Sequence, residues 1–253
     1  GEAMQLAYAD HDTWLGDPDF VSVPVSGMID PAYLKRRSAM IRLDRSLRTY
    51  EPGTPPGAQP RTAAGPQPEA GTSHFVAVDR NGDVASWTST IESFFGSQLV
   101  ANGVILNNEL TDFSFAPEKD GKLVANRVEP GKRPLSSMSP TIVYDDKGVP
   151  IFTVGAAGGR TIIMQVAKAL IAHFDWGLSA QDSIAHGLIY YNKDGLVLEQ
   201  GTSLEAMKAP LEKLGHHVTL SPLGLKANAA ERTADGHWVG AADPRSPGVS
   251  LQE

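Results

Sequence analysis

The stretch from Glu51 to Gly71 limits the fold more than any other part of the chain. Its twenty-one residues hold six of the 18 prolines and four glycines. Proline fixes φ and lacks a backbone donor, and glycine loses more backbone entropy on folding than any other residue, so neither helix nor sheet runs through such a segment. The sequence predicts an exposed extended loop or tail here, dividing a front of residues 1–50 from a back of residues 72–253. The chain then changes character at once. Thr72-Ser73-His74-Phe75-Val76-Ala77-Val78-Asp79 is strand-like, which leaves a hydroxyl residue at the boundary between a loose segment and a regular strand. A self-cleaving precursor would place there the nucleophile that becomes its new N-terminus. Taken alone, the junction also fits an ordinary linker and strand.

The front carries helical spacing at Ala3, Met4, Leu6, Ala7 and Ala9, a turn at Gly16-Asp17-Pro18-Asp19, and a second helix launched by Asp30 as cap and Pro31 at its first position. By itself it has too little apolar surface for a core. The back reads as one domain. Phe75 to Val78 and Val84 to Thr90 alternate as strands around Arg80-Asn81-Gly82-Asp83, where Asn-Gly supplies the positive φ angles of a tight hairpin turn. A second hairpin joins Thr141–Tyr144 to Ile151–Val154 and runs through Gly155-Ala156-Ala157-Gly158-Gly159 into a helix over Thr161–Phe174. Helices follow at Ala180–His186 and Leu204–Leu214, and short strands near Val218, Ala227–Arg232 and His237–Ala241. Strands, then helices, then strands predict an α+β layered fold.

Charge and composition narrow the chemistry. A net charge of −7 with no basic run disfavours nucleic acid and anionic membrane as partners. The absence of cysteine excludes thiolate nucleophiles and disulfides, and no apolar stretch approaches a membrane span. The chain opens without a secretion signal, so it belongs to the cytosol or is the back part of something longer. None of the seven histidines forms an i, i+4 pair around a glutamate, so no metal site is expected. Gly155 to Gly159 lacks the lysine and hydroxyl of a phosphate loop, and no cofactor is expected. Gly158 and Gly159 do offer uncovered amides at a strand-to-helix turn, suited to an oxyanion; close packing is the plainer reading of a double glycine.

Two polar clusters remain. Leu106-Asn107-Asn108-Glu109-Leu110-Thr111-Asp112 sets two carboxylates three residues apart, where they can face the same way and clamp an ammonium, or simply border a solvated turn. Pro130 to Pro140 restricts the backbone around Ser136-Ser137 with Lys132 and Arg133 close by, as a carboxylate-binding loop would.

Together these pieces resemble the γ-glutamyltranspeptidases, a family of N-terminal nucleophile hydrolases. The matching residues are Thr72-Ser73-His74, Thr90, Leu106-Asn107-Asn108 with Glu109 and Asp112, Pro134 to Pro140, Gly158-Gly159 and Asp243-Pro244-Arg245, with Tyr8-Ala9-Asp10 and Leu15 to Phe20 in the front. The resemblance implies a four-layer αββα sandwich of which about half is present. Residues 1–71 would be the tail of a large subunit and 72–253 the small catalytic subunit, produced by cleavage between Gly71 and Thr72.

The resemblance also implies roles. Thr72 would be nucleophile and, through its freed α-amine, base; Thr90 would position it; Gly158 and Gly159 would hold the oxyanion, worth about 3 kcal/mol per donor. Glu92, Glu109 and Asp112 would bind the substrate ammonium, and Ser136 and Ser137 its α-carboxylate. His74 would be structural, and Phe115 to Glu129 falls where some members carry a lid. The implied substrate is a γ-glutamyl compound such as glutathione, with water, an amino acid or a dipeptide as acceptor, and the implied compartment is periplasmic or extracellular. The family's carboxylate-pairing arginine lies in the front of the large subunit and has no match here, so the rest of that subunit is an expected partner. The alternatives are an acylase removing glutaryl groups from β-lactams, a poly-γ-glutamate-processing relative, or an inactive, uncleaved homologue. Against the acylase, a glutaryl group has no α-amine for the acids to hold.

Overall fold

The computed structural model of the protein describes residues 1–63, 71–192 and 195–251. In chain order, the main elements of the front are helices α1 (Glu2–Trp14) and α2 (Pro31–Ser38). Strands β1 (Ser73–Val78), β2 (Val84–Ser89), β3 (Thr141–Tyr144) and β4 (Pro150–Ala157) lead into helices α3 (Thr161–Phe174) and α4 (Ala180–Ala185). Strands β5 (Ile189–Asn192), β6 (Gly195–Glu199), β7 (Val218–Ser221), β8 (Lys226–Arg232) and β9 (Trp238–Ala242) follow, with a short helical stretch over residues 203–213 before β7. Several boundaries follow from local chemistry. Asp30 caps α2 by accepting from the Tyr33 amide at 2.7 Å, with Pro31 in the first turn. In the β1–β2 loop only Gly82 takes a positive φ; the Asp79 carboxylate accepts from the amides of Asn81 and Asp83 and closes a longer turn than the two-residue one expected from Asn-Gly. Strands β5 and β6 are absent from the sequence reading, although Ile189 to Tyr191 and Leu196 to Leu198 flank an Asp194-Gly195 pair, a hairpin signal the residues did offer.

Chain order does not define the compact units. Residues 1–68, 109–136 and 189–221 form one, and residues 69–108, 137–188 and 222–253 form the other, so the residues after 72 are shared between two units.

In the first unit β6 pairs antiparallel with β5 and parallel with β7, and Leu196, Leu198 and Val218 are buried with Leu204 and Leu211. The front segment is held by buried polar partners. Asp10 accepts from the Tyr33 hydroxyl at 2.8 Å, from Arg37 at 3.0 Å and from the Gly53 amide at 2.6 Å. Trp14 donates to the Gly53 carbonyl at 3.0 Å, and a Cβ on Gly27 would collide with Pro56. Over residues 51–63 the Pro/Gly segment is irregular and mostly exposed, as expected, but it is no loose tail: backbone groups of Glu51 and Gly53 find partners on α1 and α2. Residues 64–70 lie outside the described residues.

In the second unit the antiparallel order is β9-β8-β4-β3. One face of the sheet (Phe152, Val154, Ala156, Ala227 and Ala229) is buried with Ile162, Val166, Ala169, Ala180 and Ile184 of α3 and α4. The β1–β2 hairpin covers the other face. His74, buried on β1, lies against Gly155 of β4, where a Cβ would come within 2.2 Å of the imidazole, and its carbonyl accepts from Asn228 of β8 at 2.6 Å. The hairpin's outer side carries Phe75 stacked on Trp87, both more than half exposed. The Asp243-Pro244-Arg245 motif closes this unit: buried Asp243 accepts from the Ala227 amide and from Arg245, whose guanidinium also donates to the Ile184 carbonyl.

Candidate active site

The ladder of the hairpin pairs Ser73 with Ser89, and extending it by one step sets Thr72 opposite Thr90. The two side chains meet: buried Thr72 donates from Oγ1 to Thr90 Oγ1 at 3.2 Å. Thr90 Oγ1 also accepts from the Glu92 amide at 2.8 Å, which orients it. Glu92 itself has a φ of +69°, a left-handed conformation that costs a non-glycine residue of order 1–3 kcal/mol and persists only where neighbours hold it. Ser93 and Asn108 do so here. Ser93 Oγ donates to Glu92 Oε2 at 2.6 Å, Asn108 Nδ2 donates to the same oxygen, and Asn108 Oδ1 accepts from the Ser93 amide at 3.0 Å. Gly71 fits against the same turn with a φ of +102°; a Cβ there would lie 2.4 Å from the Glu92 carbonyl oxygen.

β4 runs from beneath this hairpin into Gly158 and Gly159, whose φ values are +125° and +59°; a side chain at either is strained, and a Cβ on Gly158 would also lie 2.8 Å from Thr161 Oγ1. The turn is tied down around them. Thr161 Oγ1 donates to the Gly158 carbonyl at 2.7 Å, and Gln165 donates to the Ala157 carbonyl at 2.8 Å while accepting from the Lys226 amide at 3.2 Å. Neither glycine amide donates to another described residue. His74 stays neutral at ordinary pH: burial pushes its pKa down to about 4, Nδ1 pairs with Thr88 Oγ1 at 2.8 Å, and Nε2 has no partner among the described residues.

Glu109, Asp112 and Ser136 belong to the first unit and Ser137 to the second. Residues Glu109–Asp112 form one 3₁₀ turn, in which positions i and i+3 eclipse, so both carboxylates share one face. Ser136 is exposed and Ser137 buried. The cations beside them are not available in the way the sequence suggested. Arg133 makes a two-pronged contact with Asp17 at 2.7 and 3.0 Å and reaches Asp19 at 2.6 Å; the pairing holds the Asp17 carboxyl well below the usual carboxylate range. Lys132 is buried, donating to the Ala125 carbonyl at 2.8 Å and pairing with Glu129 at 3.1 Å. Of the stretch Phe115 to Glu129, residues Val124, Ala125 and Asn126 are fully buried. Ser93 and Asn126 are contributors that sequence reasoning did not single out, and Asp17 and Asn108 entered it only as turn or motif residues, since their distant partners alone reveal what they hold.

Together, the sheet, helices and hairpin with a hydroxyl residue at its head define the α+β fold of the N-terminal nucleophile hydrolases. Residues 1–252 match the family model described as gamma-glutamyltranspeptidase. The chain belongs to the γ-glutamyltranspeptidase family. It is 38% identical over 264 residues to a Bacillus subtilis protein named glutathione hydrolase proenzyme, an alignment covering 99% of this chain and 43% of that relative. The chain thus spans less than half the length of that curated relative. A crystal structure of a Helicobacter pylori γ-glutamyltranspeptidase superposes with a TM-score of 0.62 at 32% identity, covering 69% of this chain and 100% of that one. A cephalosporin acylase from Bacillus halodurans superposes with a TM-score of 0.80 over 97% of this chain and 42% of its own, but at 23% identity this shows the fold alone.

Proposed function

We propose that the complete protein containing this chain is a γ-glutamyl hydrolase and transferase acting on glutathione and related γ-glutamyl compounds. The observation that carries this reading is the Thr72 hydroxyl bonded to Thr90 at the head of the hairpin, directly after the left-handed Gly71, in a chain of this family. In the precursor the Thr72 hydroxyl attacks the Gly71 carbonyl carbon, the peptide nitrogen leaves to become the α-amine of Thr72, and water hydrolyses the resulting ester. That amine, with an ordinary pKa of about 7.7 to 8.0, then takes the hydroxyl proton as Thr72 attacks the γ-carbonyl of the substrate. Gly158 and Gly159 donate to the oxyanion, and the amine returns the proton to the leaving group. Water or an amine acceptor releases the γ-glutamyl group from its ester, restoring the hydroxyl.

Glu92, Glu109 and Asp112 take the substrate ammonium and Ser136 and Ser137 the α-carboxylate in this reading. The 43% share of the Bacillus subtilis relative's length and the exposed Phe75, Trp87, Phe94 and Phe95 support a longer natural protein. In it, residues 1–71 end the large subunit, whose remainder covers those rings and brings the carboxylate-pairing arginine; the periplasmic or extracellular setting rests on the family resemblance alone. Denaturing gels of the full-length gene product test the reading: the wild type splits into two bands and releases p-nitroaniline from γ-glutamyl-p-nitroanilide, while Thr72→Ala stays whole and inactive. A wild type that remains one band refutes it.

A further inference from the structure

We propose that Asn126 is the positioning residue that fixes the spacing between the two substrate-recognition loops, an inference that rests on the roles given above to Asp112 and Ser136. Its side chain spans them. Asn126 Nδ2 donates to the Asp112 carbonyl at 2.7 Å, and Asn126 Oδ1 accepts from the Leu135 amide, one residue before Ser136, at 2.9 Å. The residue is 1% exposed, so neither bond exchanges with water, and both amide ends are used.

Its own backbone is held as tightly. The Asn126 carbonyl accepts from the Ser114 amide at 2.8 Å, and the neighbouring Ala125 carbonyl accepts from the buried Lys132 ammonium at 2.8 Å. Gly16 leaves no room to shift, since a Cβ there would lie 2.8 Å from the Ala125 oxygen. From the other side, Asp17 grips Arg133 by its amide and its guanidinium, two residues before Leu135. The acid turn and the hydroxyl loop are thus referenced to one buried amide.

The chemistry of the ligand gives this link its purpose. The ammonium and carboxylate of a γ-glutamyl group hang from a single carbon, so two loops that read them separately must keep their spacing to within about 0.5 Å to bind both at once. A substrate presenting only the carboxylate needs no such register. Asn126 therefore sets selectivity for α-amino acids over simple diacids without touching either group.

The test uses the full-length protein with two substrates, γ-glutamyl-p-nitroanilide and glutaryl-p-nitroanilide, which differ by the α-amine. Asn126→Ala loses both bonds, and Asn126→Asp keeps the Leu135 bond but sets an oxygen against the Asp112 carbonyl. In both variants KM for the γ-glutamyl substrate should rise about tenfold or more while kcat stays within about twofold. The glutaryl substrate should lose much less, and precursor cleavage, read on gels, should proceed. Equal losses on both substrates, unchanged kinetics, or failed cleavage in both variants overturn the proposal; the last result makes Asn126 a folding residue. A wild type that cleaves itself but ignores γ-glutamyl-p-nitroanilide instead removes the underlying substrate reading, and this inference with it.

Discussion

Acid should destabilise this protein through His74 well before its carboxylates protonate. The imidazole is 6% exposed, wedged between the hairpin and Gly155, with Nδ1 satisfied by Thr88 and Nε2 unpartnered among the described residues. Burial alone pushes its pKa from 6.5 down to about 4; no neighbouring charge contributes. Because the folded value lies below the unfolded one, the native state resists a proton that the unfolded chain accepts. The contribution to stability is therefore fully present above pH 6.5 and is lost as pH falls from 6.5 toward 4. The whole window is worth about 3 kcal/mol, and about 2 kcal/mol of it should disappear between pH 7.5 and 5.0. The depressed Asp17 carboxyl acts in a lower range, its contribution declining only below about pH 4. His216, also lowered by burial, adds a slope of the same sign as His74. Urea midpoints at pH 7.5, 6.5, 5.5 and 5.0 for the wild type and His74→Gln isolate the effect, because the glutamine does not titrate and the His216 slope survives in both. Equal slopes in the two proteins, or an NMR titration of the native His74 ring near pH 6.5, would refute the reasoning.

Gly155→Ala should cost about 1–3 kcal/mol by driving a methyl into the His74 ring, and a smaller side chain at His74 should recover much of that in the double variant, read from thermal midpoints. Gly71→Ala meets both a φ of +102° and the Glu92 carbonyl, so gel time courses should show precursor cleavage slowed at least about tenfold; an unchanged rate would count against strain at this junction. Thr90→Ala removes the acceptor for the Thr72 hydroxyl and should lower kcat by about a hundredfold, with Thr90→Ser restoring most of it in the p-nitroanilide assay.

Much of the local structure was legible in the residues. The Asp30-Pro31 start of α2, the helical spacing of α3 and the two hairpins each rest on contacts a few residues apart, which a sequence displays directly. The hydroxyl at position 72 and the acids at 109 and 112 were visible because strand alternation and three-residue spacing are local patterns. Less was legible where partners lie far along the chain. Lys132 and Arg133 looked like cations offered to a ligand, yet they are engaged by Ala125, Glu129, Asp17 and Asp19. Asn108 looked like a turn residue and proved to hold the Glu92 carboxylate, and the irregular, mostly exposed 51–63 stretch proved to be anchored at Gly53.

What the order of residues decides is the set of elements and chemical groups: a Pro/Gly break, a strand headed by Thr72, a double glycine at a strand-to-helix turn, and a spaced pair of acids. Their periodicities and backbone preferences act over a few residues, so they need no fold to operate. The tertiary structure alone decides which groups meet. Asp17 reaches Arg133 across 116 positions, Asn228 reaches the His74 carbonyl across 154, and residues 109–136 join the chain's first 68 in one unit rather than their sequence neighbours. Pairings of that range are chosen by burial, since a polar group taken from water must find whichever partner the packed chain brings to it.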